Sequence, residues 1–529
     1  MIWKQLCTLL AVALLAAVGG WIATGSEPAT AKDKEKAAEP VDVLDKVKEW
    51  NSDKFAPPPT EFRQGHVTEK KLDGKELSKT KDGFTIKLPA GAPIPTPSVY
   101  KGKLFVSGGF HSREYYCFNA DNGQFVWGLN LDDDGPTSAA VEDDVIVFNT
   151  ESCTLFALDA TTGKHLWSYW LGDPLTSTPT IAKGRVFTSY PAAGRGGQLP
   201  NPAPNAPNQV QQLKEAAKPE RPAGGRAGPP CSHVLACFDL KTGKILWQRW
   251  IDSDVMSAPV AIDDELYATS FAGIVYKFKQ SDGTVLSATR SRATSAPVVV
   301  GTNVYYTQRV DDGKKAEEAV AGYARTDNRQ QFLGDKKEAL YLDKEVQARS
   351  LQKEAAMKLD AGNGFGAGAP GAANPQAALN NVGQDNVWSM QAFQGSRLLN
   401  LAGRNYNCMG DEVVCTDPAT GKTLWKYKLE GDLKKQGGFL AAPPAAAGGQ
   451  IFLATLGGEV LQMDPKTEKV AKTYKIGAAT RFQPLIENGR IYVSTQDGRI
   501  VCIDTGDKQL TGWPCWGANA AHTGLPVQK

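Results

Sequence analysis

The stretch Ala157-Leu158-Asp159-Ala160-Thr161-Thr162-Gly163-Lys164-His165-Leu166-Trp167 decides how the rest of the chain is read. The Asp at its third position can accept hydrogen bonds from the backbone and the threonine that follow, and the glycine supplies the positive φ that returns the chain. Apolar and β-branched residues on both sides make it the tip of a β-hairpin. The same frame recurs from Cys237 to Trp247, built on Asp239 and Gly243, and from Cys415 to Trp425, built on Asp417 and Gly421; a degenerate copy runs from Cys117 to Trp127. Weaker copies at Lys279 to Gly283, Asp327-Asn328, Asp464 to Lys469 and Asp504-Thr505-Gly506 bring the tips to eight. Gly123 to Gly163 and Gly243 to Gly283 are steps of 40 residues, while Gly163 to Gly243 is 80, so the long step holds one repeat plus an insertion at 191–230.

Working outward, each unit opens with a short Ser/Thr-Ala/Thr-Pro signal, as at Ser177-Thr178-Pro179, Ser257-Ala258-Pro259 and Ser295-Ala296-Pro297. Alternating segments such as Gly184-Arg185-Val186-Phe187-Thr188 follow and read as second strands. Opening strand, second strand, third strand, tip and fourth strand make one propeller blade. With the insertions at 191–230 and 334–385 set aside, residues 92–529 divide into eight units of roughly 43 residues, the length of a four-stranded blade. The expected fold is all-β: an eight-bladed β-propeller of four-stranded antiparallel blades with a disordered loop and a helical insertion. The insertion at 191–230 has nine prolines and six glycines and is expected to lack a fixed fold. Residues 335–360 carry an apolar stripe that predicts a helix.

The 529 residues carry a net charge of +2, so an electrostatic grip on nucleic acid is excluded as the organising function. Residues 1–31 have a basic start, an apolar run and the small residues Ala29-Thr30-Ala31, the pattern of a secretory signal. The competing reading is an uncleaved anchor, which would be the chain's contact with a membrane. Cys7 precedes the apolar run and is not an acylation site of the lipoprotein kind. The expected location is periplasmic or otherwise extracytoplasmic. Residues 32–91 read as a charged tether in which Phe84-Thr85-Ile86-Lys87-Leu88 could complete the outer edge of the last or first blade, and 517–529 as a terminal cap.

The Asp-x-x-Thr-Gly-x-x-x-Trp frame resembles the repeat of the pyrroloquinoline quinone (PQQ) repeat family, over roughly residues 92–516. The resemblance implies that Trp127, Trp167, Trp247 and Trp425 dock between neighbouring blades. The family holds quinone-dependent dehydrogenases and non-catalytic propellers such as the BamB-type component of outer-membrane protein assembly, and fold alone does not choose between them. The adjacent cysteines typical of the dehydrogenases and a Cys-x-x-Cys-His haem attachment are both missing from this sequence. The reading is therefore an exported, non-catalytic platform whose face loops bind a protein partner of the cell envelope, with no catalytic residue, metal or cofactor. The alternative is a dehydrogenase that uses PQQ and calcium to oxidise alcohols or sugars at the axial channel.

A site of the second kind needs carboxylate, amide and guanidinium groups converging at the channel mouth. The candidates are Asp134, Asn149, Glu151, Asp173, Asp254, Arg292 and Arg481, set against the simpler expectation of a row of solvated loop charges. The acidic runs 132–134 and 142–144 lack the oxygen spacing of a calcium loop, and the five histidines lack metal spacing. Cys117, Cys237, Cys415 and Cys502 share the slot that Ala157 holds, on separate blades about 10 Å apart, too far for bridging. Cys153 and Cys231, starting the third strands of adjacent blades, are the pair placed for a disulfide.

Overall fold

In the computed structural model the described residues are 39–151, 153–172, 177–191, 229–311, 315–342 and 397–527, all within one compact unit that begins at Ala37. They form eight antiparallel sheets, each ordered from an inner three- or four-residue strand outward, and together an eight-bladed propeller. Blade 2 is representative: Ala140–Glu142, Val145–Phe148, Thr154–Asp159 and His165–Trp170 pair in sequence order. Four sheets carry a fifth strand.

The tips fold as their chemistry requires. Asp159 Oδ1 accepts the backbone N–H of Thr161 (3.0 Å) and Thr162 (2.8 Å) and the Thr162 hydroxyl (2.7 Å), and the arrangement repeats at Asp239 and Asp417. The Thr242 hydroxyl, followed by the backbone donors, holds the Asp239 carboxyl below the ordinary carboxylate range. Seven tips are true hairpins. At the eighth, the chain leaves the sheet after Asp504, and the outer strand is supplied by Gly83–Lys87, which pairs with Arg499–Asp504. Repeat counting could not separate a tip from a chain exit that has the same Asp-Thr-Gly sequence.

Five of the tips also seat an aromatic ring of a neighbouring blade. Trp127 lies against Gly163, Trp167 against Gly243 and Trp247 against Gly283, while Phe332 and Phe84 fill the same role at Gly421 and Gly123. A Cβ on Gly243, whose φ is +69°, would stand 2.7 Å from the Trp167 ring, so glycine serves both the turn and the contact. The Trp167 and Trp247 indole N–H groups donate to the carbonyls of Leu240 and Gln280, both at 2.9 Å. Trp425 is buried within the cluster formed with Leu453 and Met463.

The Ser/Thr-rich opening signals stitch the inner ends of the blades. Thr96 Oγ1 donates to Gln483 O (2.8 Å), Ser98 Oγ to Ala139 O (2.6 Å), Ser107 Oγ to Pro136 O (2.6 Å), Thr180 Oγ1 to Pro259 O (2.5 Å) and Gln483 Nε2 to Pro444 O (2.8 Å). These buried carbonyls are thereby satisfied by side chains from neighbouring segments.

Both ends of the described chain act on the ring. Residues 39–87, read from sequence as a tether with one strand, run along the outer edges of five consecutive blades. Val41–Asp42 pairs with blade 4, and the helix Leu44–Trp50 buries Val47 and Trp50 against blades 3 and 4. Asn51 exchanges hydrogen bonds with the Trp250 backbone, Arg63 bridges Trp170, Val67–Glu69 pairs with blade 1, and Leu77–Thr80 with Gly83–Lys87 finishes blade 8. The helix is seven residues long, too short to stand without this packing, which is why charge dominated its reading.

Residues 513–522 lie inside the ring. The middle residue of four inner strands donates its free N–H to the plug or to its start: Val99 to Pro514 O (2.7 Å), Ile181 to Ala520 O (2.7 Å), Ala261 to Ala521 O (3.0 Å) and Ile486 to Trp513 O (2.9 Å). His522 is buried there between Pro179 O (3.0 Å from Nε2) and Trp516 O (2.8 Å from Nδ1).

All eight described cysteines are buried, and the structure does not join Cys153 to Cys231. Burial pushes the thiols of Cys117, Cys237 and Cys502 up to about 12, which makes them inert. Residues 335–342 form the short strand Lys337–Glu338 and the turn Leu340–Leu342, and the rest of the expected helix lies outside the described residues, as do residues 1–38 and 192–228. Among the described residues no helix is long and apolar enough to cross a membrane.

Two outcomes follow. Trp167→Ala removes an indole that fills the seam between blades 2 and 3, and urea unfolding should show a loss of about 3–5 kcal/mol. Burial pushes the His522 pKa down to about 4 against the pull of its two carbonyl contacts. The unfolded chain, titrating near 6.5, then binds the extra proton first, so stability is full above that value and declines by up to about 1.4 kcal/mol per pH unit toward pH 4. Denaturant titrations of His522→Gln across this window should show a shallower decline than those of the parent.

Candidate functional site

Strand direction alternates within a blade, so the turns between first and second strands and the 3–4 tips emerge on one face. The loops between second and third strands, and those that lead to the next blade, emerge on the other. Six of the seven polar candidates sit on this second face, and Asp173 lies outside the described residues. The structure sorts the six into four groups.

Glu151 belongs to the first. Its Oε1 accepts the His111 backbone N–H at 3.0 Å and its Oε2 lies 2.9 Å from His111 Nδ1. Gly135, with φ at +59°, passes so close that a Cβ there would overlap Glu151 Oε1 at 1.9 Å. Asp134 lies beside this carboxylate; burial, then the negative charges of Glu151 and Asp133, push it up to about 6. Asp133 itself is buried and accepts the hydroxyls of Thr150 (2.6 Å) and Thr154 (2.5 Å), so the acidic run 132–134 serves the loop's own structure.

The second group joins three blades. Asn149 Nδ2 donates to Ser177 O (2.9 Å) and Thr188 Oγ1 (3.0 Å), Ser177 Oγ lies 3.3 Å from Ser189 Oγ, and Ser189 Oγ donates to Asp254 Oδ1 at 2.8 Å. Asp254 also accepts the Val255 N–H (2.8 Å). Asn149 from blade 2 and Asp254 from the approach to blade 4 are thus brought together through blade 3. In the third group Arg292 donates to the carbonyl (3.1 Å) and the carboxylate (3.4 Å) of Asp311, which also pairs with Arg309.

The fourth group contains Arg481 and a residue that the sequence reading missed, Arg397. Arg397 is 3 % exposed and pairs through Nη2 with Glu318, which is 1 % exposed. The other Glu318 oxygen accepts the Tyr341 hydroxyl (2.5 Å) and the Thr294 hydroxyl (3.3 Å), and the Arg397 guanidinium stacks 4.3 Å from the Tyr341 ring centre. Burial, opposed by the Arg397 charge, raises the Tyr341 hydroxyl well above its ordinary range, so it stays a donor. The available signal was an acid, Glu318, heading the apolar run 319–324, where an unpaired charge would be costly.

The expectation of solvated loop charges is corrected for three of the candidates: Asn149, Glu151 and Asp254 are 0 %, 7 % and 5 % exposed. Propeller faces are rimmed by neighbouring loops, and here the loops fold over their own polar groups and satisfy them. Among the described residues no cluster of three or more His, Cys, Asp or Glu could hold a metal ion such as the calcium of the family's enzymes.

A propeller with these repeats and this stitched face has relatives among known proteins. The sequence profile described as "Outer membrane protein assembly factor BamB" matches residues 70–198, 232–381 and 410–516, most of the chain. The chain belongs to this family. A BamB of Nitrosomonas eutropha is 23 % identical over 236 residues, which is 41 % of this chain and 48 % of that protein, so the match spans about half the relative's length. Among solved structures, BamB of Moraxella catarrhalis aligns with a TM-score of 0.49 at 16 % identity, over 81 % of this chain and 99 % of that one. The quinohemoprotein alcohol dehydrogenase ADHIIG of Pseudomonas putida aligns with a TM-score of 0.47 at 12 % identity, over 81 % and 76 %.

The buried pair in the fourth group sets a measurable cost. Glu318→Gln leaves the Arg397 charge uncompensated and should destabilise the protein by about 3–5 kcal/mol in urea unfolding, whereas replacing both residues with apolar side chains of similar volume should restore much of the loss.

Proposed function

We propose that this chain is a non-catalytic platform of the cell envelope that binds a protein partner through the loops of its second face, in the manner of outer-membrane protein assembly factors. Membership of the BamB family supports the general reading. The single observation that carries it further is that Glu151, Asn149, Asp254 and Arg292 are each hydrogen-bonded to neighbours within the ring, which fixes the described loops that carry them. Rigid display lowers the ordering cost of association, which is what a docking platform needs. The extracytoplasmic location belongs to the same proposal and agrees with the signal-like pattern of residues 1–31.

The test places a photo-crosslinking residue at Lys434 on the loop face and, separately, at Thr161 on the tip face, in cells that make the full chain. The reading expects a crosslink to an outer-membrane assembly component from position 434 and none from 161. In parallel, the purified protein is titrated with PQQ and calcium and assayed for dye reduction with an alcohol panel. Saturable stabilisation together with turnover would replace the platform with the dehydrogenase.

A further inference from the structure

The Arg397 guanidinium spends one nitrogen on Glu318; the remaining two, Nε and Nη1, are buried without a hydrogen-bond partner. Leaving charged donors of this kind unmade is costly, and the side chain is held in place by Glu318 on one side and the Tyr341 ring on the other. Arg397 lines a partly open cavity of about 30 Å³ on the loop face, with Arg481 reaching it from the approach to blade 8. The remaining wall is apolar and made of small or rigid groups: Phe439, Ala441, Ala442, Pro443 and Leu456, with Cys408. The Cys408 thiol, pushed up to about 12 chiefly by burial, donates toward Ala441 O at 3.8 Å and adds no charge.

We propose that this cavity is a binding site for a carboxylate on a short apolar stem. Guanidinium groups match planar oxyanions through charge-assisted hydrogen bonds. The apolar wall takes the stem, and the volume, little more than that of a water or two, admits the head of a small acid and excludes a bulky one. Arg397 is pre-positioned by its own ion pair, so the site is formed before the ligand arrives and loses little entropy on binding. No residue of this site takes part in the hydrogen-bonded groups around Glu151 and Asp254, and the proposal stands whether or not the platform reading does.

Propionate is the probe, titrated into the purified full chain by calorimetry and by thermal shift, with propionamide as the uncharged isostere. The site expects saturable, single-site binding of propionate at millimolar concentration and none of propionamide. Arg481→Gln should weaken propionate roughly tenfold or more, the loss of a charge-assisted contact. Ala442→Val, which adds two methyl groups to the apolar part of the cavity wall, should abolish binding while the circular dichroism spectrum is kept. Absence of saturable propionate binding, equal binding of propionamide, or parental affinity in both variants would overturn the proposal and leave the guanidinium hydrated by water alone.

Discussion

A blade of four strands is an unfinished object, with two apolar faces and two raw edges, and the whole structure depends on finishing all four at once. The faces are finished by an aromatic ring pressed on a glycine of the next tip, as Trp167 is on Gly243. That contact needs a residue without a Cβ at a position whose φ is already positive, so a single glycine serves local turn and long-range seam together. The seam is then locked by an indole N–H on a neighbouring carbonyl, which gives the stacked sheets a register as well as an attraction.

The edges are finished by the two ends of the described chain. The outer edges of blades 4, 3, 2, 1 and 8 receive strands, a helix or single bridges from residues 41–87, and four inner edges donate into residues 513–521. Exposed strand edges invite pairing with other chains, and here they are used by the chain itself. Because blade 8 is completed by Gly83–Lys87, ring closure links residues some four hundred positions apart, and blade 8 cannot be complete until the ring is.

Closure also explains the chemistry of the loop face. Loops crowded around an axis bury their polar groups, and buried polar groups must be paired. Asn149, Glu151, Asp254 and Glu318 are each paired across a blade boundary or with a neighbouring loop, so the residues that looked most like a site are part of what holds the blades in register. Arg397, beside its pairing with Glu318, retains two unused donors, which is where the proposed ligand would be held.

The repeat at Asp159 to Trp167 determined, from sequence alone, the hairpin tips, the docking tryptophans, the number of blades and the family, because each depends on contacts within about ten residues or on a pattern repeated every forty. Even the Ser/Thr-Pro signals were visible, although the carbonyl stitches they make were not. Tertiary structure alone decided that Asp504-Thr505-Gly506 is an exit instead of a hairpin, that residues 39–69 form an outer belt, that residues 513–522 fill the axis, and that Arg397 meets Glu318. These are single contacts between segments far apart in the chain. They leave no periodicity behind, and the energy that selects them exists only once the ring has brought the segments together.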